Sequence, residues 1–210
     1  LIDKDGAARR RAGEFTGVLD RMAGLARKLR RARFERGALD LDMPESKIIF
    51  DDRGMIKDVK REEQDLAHWL IEEFMLAANE SAADFLTRKK APLIYRIHEE
   101  PDDEDLAEFR EFAAAFGYRI KNPRDRKEIQ KFLNSVQETP LATTLQTAFL
   151  RSLKRAEYSK KNLGHYGLAS PCYAYFTSPI RRYPDLHTHR LLDCVLTQNK
   201  FPQFPGRKGL

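Results

Sequence analysis

The sequence predicts a helix-rich α+β fold with a small antiparallel or mixed sheet against several helices, and three observations carry that expectation. Apolar residues recur at three- and four-residue spacing over several long segments. The β-branched and aromatic runs that favour strands are short. The 210 residues are 41% apolar and 33% charged, which suits a soluble globular chain able to bury roughly two-thirds of its unfolded surface. That content excludes disorder as a whole-chain description. The most apolar stretch, Trp69 to Ala78, is broken by Glu72 and Glu73 and falls short of the ~18 apolar residues that a membrane span requires.

A first helix is expected near 13–34, where Val18, Met22, Leu25 and Leu29 share a face and Arg and Lys fill the other, reading as a solvated basic surface. Gly37 marks its exit. Ile48-Ile49-Phe50, the Asp52-Arg53-Gly54 turn and Met55 to Val59 read as a hairpin. The longest helix is expected from Glu62 to Leu86, with a broad apolar surface of Leu66, Trp69, Leu70, Phe74, Ala77, Ala78 and Phe85. Glu72 and Asn79 lie seven apart on one of its faces, where a carboxylate and an amide could hydrogen-bond a ribose, although surface exposure or a salt bridge is the commoner fate. A strand over Leu93 to Ile97 follows Pro92. The acid run Glu99 to Asp105 opens a helix ending near Gly117, and dipole compensation explains those acids better than a metal site. Two further helices are expected at Asp125 to Gln137 and Leu141 to Tyr158. The stretch 198–210, with two Pro and two Gly, reads as a linker or tail after a unit spanning 1–197.

Charge is segregated along the chain. The net charge is +6, and residues 148–190 carry eight Lys/Arg against Glu157 and Asp185, with seven aromatics and three of the five histidines. Basic groups interleaved with rings suit a single-stranded nucleic acid, and equally suit core aromatics beside a solvated basic face. Cys172 and Cys194 stand without a CxxC partner or zinc spacing, which fits a reducing cytoplasm. The chain opens on Leu1 with no secretory leader and is expected to be part of a longer one.

The most informative segment is Tyr175-Phe176-Thr177-Ser178-Pro179-Ile180-Arg181-Arg182-Tyr183. Tyr175 to Thr177 favour an extended strand, Ser178 is a preferred N-cap and Pro179 suits a first helical position. A strand running into a helix start would offer free N–H groups to a phosphate, with Arg181 and Arg182 in the first turn. Pro184 disfavours helical geometry at Tyr183 and so divides a short turn from the main helix carrying Asp185, His189 and Arg190. His165 and His189 read as satisfied structural side chains on residue type alone. No GxSxG, P-loop, GxGxxG or HExxH motif occurs.

Gly164-His165-Tyr166-Gly167-Leu168-Ala169, then Tyr173 to Leu186 and His189-Arg190, resembles the signature of the ribonuclease II / ribonuclease R family, the RNB-type exoribonucleases. Arg36-Gly37-Ala38-Leu39-Asp40, Ile71-Glu72-Glu73 with Ala78-Asn79, Arg96-Ile97-His98-Glu99, and Leu153-Lys154 with Tyr158 match in the same order, so the resemblance runs from about residue 15 to 195. It implies the C-terminal part of a catalytic domain. In full, that domain threads single-stranded RNA into a channel and releases nucleoside 5′-monophosphates from the 3′ end with Mg2+. By motif match, Arg181 is the catalytic arginine, Arg182 holds the RNA backbone, Glu72 meets the terminal riboses, and Ser178 and Tyr183 frame the phosphate. Tyr158 and His165 belong to the RNA-binding set.

The family's magnesium-binding Asp cluster lies upstream of the segment matching Arg36 to Asp40, and no such cluster precedes it here. The ligands, the N-terminal part of the catalytic domain and the cold-shock-like and S1 domains are therefore expected outside this chain, which alone is expected to be inactive. Leu41 stands where relatives often place a stacking Phe, and Tyr175 where many have His. The rival readings are a non-catalytic single-stranded RNA-binding module that lost the metal site, and an interaction scaffold without RNA.

Overall fold

The computed structural model of the chain describes residues 6–40, 45–62 and 65–201. Helix α1 (Gly6–Ala12) and a 3-10 turn lead into α2 (Thr16–Glu35). Strands β1 (Glu45–Phe50) and β2 (Ile56–Glu62) form a hairpin, and α3 (Leu66–Arg88) is the longest element. Strand β3 (Tyr95–Ile97), helices α4 (Asp103–Ala115), α5 (Arg126–Val136) and α6 (Ala142–Arg151), strand β4 (Glu157–Ser159) and α7 (Tyr183–Leu196) follow. The two sheets, β1-β2 and β3-β4, are each two-stranded and antiparallel. The architecture is the expected helix-rich α+β.

Local chemistry sets most boundaries. Asp65 caps α3 by accepting from the backbone N–H of Ala67 and His68, so the helix begins four residues later than the apolar period alone indicates. Gly37 leaves α2 at φ +98°, where a Cβ would sit 3.0 Å from the Arg126 side chain, and Gly117 leaves α4 at φ +87°. In the hairpin turn the Asp51 carboxylate accepts from the N–H of Arg53 and of Met55, both at 2.9 Å. Leu41 and the tail from 202 lie outside the described residues.

Three expectations are corrected. First, only part of the expected face of α2 is covered: Met22 packs against the contact with α3 and Leu29 is partly buried. Val18 and Leu25 are exposed, while Ala23 and Ala26 pack against Leu70 of α3, because small residues let the two helices approach closely. Its basic face is not simply solvated either, since Arg33 is buried. Second, α6 stops at Arg151, where Ser152 Oγ donates to the Phe149 carbonyl and closes the last turn. Tyr158 consequently lies on β4, opposite Arg96 of β3. Third, Tyr175 to Thr177 join no ladder among the described residues and bend at Thr177, and Ser178 caps no described helix. Helix α7 begins at Tyr183, with extended Arg182 before it, because Pro184 is tolerated only within the first turn.

Three apolar clusters hold these elements. Phe109, Phe132, Leu133, Leu145 and Phe149 join α4, α5 and α6, with Leu39 and Tyr166 inserted. Ala83, Leu86, Leu93, Ile97, Ala174 and Leu191 join α3, β3 and α7, and the chain around Ala174 threads across that second cluster.

Candidate nucleic-acid interface

Residues 173–182 run between α3 and α7 and are fastened at successive points. Asn79, buried on α3, donates from Nδ2 to the Tyr173 hydroxyl at 2.9 Å, and its Oδ1 accepts from the N–H of Phe176 and Thr177 at 2.9 and 3.2 Å. Both ends of the amide are thus occupied internally. His189 Nε2 lies 2.9 Å from the Phe176 carbonyl, and the two rings stack with centroids 4.2 Å apart. The fully buried Asp185 accepts through Oδ1 from Ser178 N–H at 2.8 Å and from the Arg182 guanidinium at 2.7 Å. The Ser178 carbonyl accepts from Arg181 and Arg182 N–H, closing a turn at the tip.

The two arginines therefore diverge. Arg182 folds inward, its guanidinium 3.8 Å above the Tyr175 ring centre and bonded to Asp185. Arg181 is exposed, and its side chain has no partner among the described residues. Beside it Ile180 is 97% exposed, so the tip of a firmly fastened turn carries an apolar and a cationic side chain with no packing role. Asp185, in the first turn of α7, places a carboxylate at the helix start that complements its dipole, and among the described residues no side chain caps that start by a hydrogen bond.

Aromatic and cationic groups continue from this turn. Arg96 lies between Tyr158, 4.9 Å from its ring centre, and Tyr175, at 5.7 Å. Tyr158 is 48% exposed, whereas Tyr175 is half-buried and meets both Tyr158 and Tyr173 at 6.0 Å. Tyr183 is exposed on α7. The seven aromatics divide: Phe149, Tyr166 and Tyr173 are core, Tyr175 and Phe176 are half-buried, and Tyr158 and Tyr183 face outward. Burial pushes the Tyr173 hydroxyl up to about 12, so it stays a neutral phenol.

His165 sits between His98, at 5.1 Å, and Tyr173, at 5.3 Å. Its loop is closed by mutual backbone bonds with Ser170, and its Nδ1 accepts from Leu168 N–H at 3.4 Å. Burial, then the neighbouring His98 and Arg96, bring its pKa down to about 4. A histidine that titrates near 6.5 when unfolded takes up its proton in the unfolded state first, so stability falls as pH drops from 6.5 towards 4 and levels off below. The loss should reach about 3 kcal/mol at most, with His98, also lowered chiefly by burial, adding in the same direction. Denaturant titrations at pH 7 and pH 5 are expected to show a smaller drop for His165→Gln than for the parent; equal drops would contradict the burial account.

Glu72 lies two turns N-terminal to Asn79 on the same stripe of α3, about 10 Å along the axis. Its side chain is 42% exposed and its Oε1 accepts from Arg33 at 3.4 Å. Burial raises its pKa, against the opposing pull of Arg33. The expected residues thus fall into a turn (Ser178, Arg181, Arg182, Tyr183), an aromatic flank (Tyr158) with His165 behind it, and a separate carboxylate on α3.

Sequence reasoning missed Asp185 and Arg96 as organisers, and it missed Arg33 and Glu73. Asp185 had a usable signal, a carboxylate three residues after Arg182. Among the described residues no three His, Cys, Asp or Glu side chains gather where they could hold a metal ion. Acids of the 100–103 stretch instead face Arg124 and Lys154.

The RNB domain family matches residues 2–198. Ribonuclease R of Thermotoga maritima is 43% identical over 190 residues, covering 89% of this chain and 27% of that protein. Ribonuclease R of Escherichia coli is 38% identical over 202 residues, covering 95% of this chain and 25% of that one. The chain therefore spans about a quarter of these relatives. A solved Mycoplasma genitalium RNase R in complex with ribose methylated single-stranded RNA superposes with a TM-score of 0.80 at 31% identity, over 87% of this chain and 29% of that one. The same protein in complex with double-stranded RNA gives 0.82 at 29%, over 94% and 38%.

Proposed function

The chain belongs to the RNB domain family, and on that premise we propose that it is part of the catalytic domain of a 3′-to-5′ exoribonuclease acting on single-stranded RNA in the cytoplasm. The observation that carries this reading is the fastened 178–182 turn, which holds an arginine unpartnered among the described residues beside a partly exposed Tyr–Arg cluster. A guanidinium in that position stabilises negative charge on a phosphate through fixed N–H donors, and the rigid support means that little reorganisation accompanies binding.

In this reading Arg181 meets the phosphate at the bond to be broken. Ser178, whose N–H is tied down by Asp185, and Tyr183 frame it. Tyr158 offers a ring for a base to stack on, worth about 1–3 kcal/mol. Glu72 accepts from ribose hydroxyls. Arg182, one terminal nitrogen bonded to Asp185 and its guanidinium over Tyr175, supports the RNA backbone through the turn it fastens rather than by an outward reach. His165 braces Tyr173 from behind. The family's magnesium would supply an activated water. Among the described residues no three His, Cys, Asp or Glu side chains gather to hold it; its ligands, and the N-terminal part of the catalytic domain with the cold-shock-like and S1 domains, are proposed to lie outside this chain.

The test pairs binding with turnover. The purified chain is expected to bind single-stranded oligoribonucleotides in a salt-sensitive manner and, on addition of Mg2+, to release little nucleoside monophosphate. Turnover at the level of a complete ribonuclease R would overturn the placement of the metal ligands. Absence of RNA binding would overturn the proposal itself.

A further inference from the structure

Helices α2 and α3 lie side by side through Ala23, Ala26 and Leu70, and further along α2 the contact turns ionic. Arg33 and Glu73, with side chains 7% and 2% exposed, pair through Arg33 Nε at 3.1 and 3.3 Å from the two carboxylate oxygens, with a further bond from the terminal nitrogen. Arg30 backs the same carboxylate at 3.7 Å and reaches Asp40 at 3.1 Å, its guanidinium 4.4 Å from the Trp69 ring centre and 4.8 Å from that of Phe34. Arg33 also lies over Phe34, at 4.9 Å. Its orientation is thus set by a buried carboxylate, by a ring and by the packing of two helices.

One donor of that guanidinium remains for Glu72. The terminal nitrogen that bonds Glu73 also donates to Glu72 Oε1 at 3.4 Å, and of the two adjacent glutamates only Glu72 reaches solvent. A flexible exposed Glu loses side-chain freedom on being ordered, and a donor that is itself immobile meets part of that cost before any ligand arrives. Replacing a buried ion pair by apolar side chains of similar volume is often neutral or stabilising, so stability alone gives a weak reason for Arg33–Glu73. We propose that Arg33 is a positioning residue which holds the Glu72 carboxylate ready to accept from ribose hydroxyls, so that the α2–α3 ion network tunes preference for RNA over DNA. The inference rests on the reading of Glu72 as the ribose contact.

The experiment compares the affinity of the full chain for 5′-fluorescein-labelled oligo(rA) and oligo(dA) of equal length, by anisotropy in EDTA, with melting monitored in parallel. Glu72→Ala is expected to lower the ratio of RNA to DNA affinity about tenfold, as loss of one charge-assisted hydrogen bond implies. Arg33→Lys, which keeps the charge but cannot span both carboxylates, is expected to lower the ratio several-fold and to add nothing when combined with Glu72→Ala. Should Arg33→Lys fail to fold, Arg33→Met with Glu73→Leu removes the pair while retaining volume, and the same fall in ratio is expected. An unchanged ratio in Glu72→Ala would overturn the ribose reading and the inference with it. A fall in Glu72→Ala with a parental ratio in the folded Arg33 variants would overturn only the positioning role, leaving the pair as scaffolding.

Discussion

Asp185→Ala is expected to destabilise the chain by about 3–5 kcal/mol and to abolish tight binding of single-stranded RNA. The carboxylate is fully buried and serves two donors at once, Ser178 N–H and the Arg182 guanidinium. Removing it leaves a partly buried cation without its counter-charge, the situation in which losing one member of a pair is most damaging. It also releases the base of the 178–182 turn, so Arg181 loses its fixed position even where the fold survives. Asp185→Asn preserves an acceptor at Oδ1 and removes only the charge, so its effect should be milder, about 1–2 kcal/mol. Chemical denaturation of the three proteins checks the order. If Asn and Ala behave alike, the charge, rather than the hydrogen bonds to the turn, dominates.

Arg181→Ala is expected to do the reverse. The side chain is exposed and unpartnered among the described residues, so its loss should change stability by no more than about 0.5 kcal/mol. Affinity for single-stranded RNA should nevertheless fall about tenfold or more, because a charge-assisted contact to phosphate is worth roughly 1.5–3 kcal/mol. Arg182→Ala provides the contrast: it should lower stability and affinity together, since it removes the partner of Asp185 and the cation above Tyr175. Two adjacent arginines of the same composition thus carry separable roles, one in the ligand contact and one in the support.

The resemblance gave Arg181 and Arg182 different contacts, both toward RNA; that Arg182 instead turns inward was not legible in the sequence. What distinguishes them is Asp185, whose position depends on Pro184 delaying the helix to Tyr183. The punctuation of the chain was legible wherever one residue decides a local geometry: Gly37 and Gly117 end helices at positive φ, and Asp52-Arg53-Gly54 forms the hairpin turn. Tertiary choices were not. The buried face of α2 centres on Ala23 and Ala26, with Met22 beside them, while Val18 and Leu25 stay exposed, because close approach to α3 favours small side chains at the contact. Tyr158 leaves the expected helix because β3 needs a partner strand, and that pairing in turn sets it against Arg96.

Asn79 and Glu72 show the same limit at the candidate site. Their seven-residue spacing on one helix face was readable. That Asn79 would spend its amide on Tyr173, Phe176 and Thr177, while Glu72 would meet an arginine 39 positions earlier, depended on how α2, α3 and the 173–182 segment pack. The resemblance in the 164–190 region carried the family, and the RNB match over residues 2–198 agrees with it.

The most direct measurement is the salt dependence of single-stranded RNA affinity for the parent chain and for Arg181→Ala. Each phosphate contact on a single strand contributes about 0.7 to the slope of log affinity against log salt. If the fastened turn presents Arg181 to the RNA backbone, the variant should bind more weakly at every salt concentration with a slope shallower by about that amount. Superimposable lines for the two proteins would contradict that placement of Arg181.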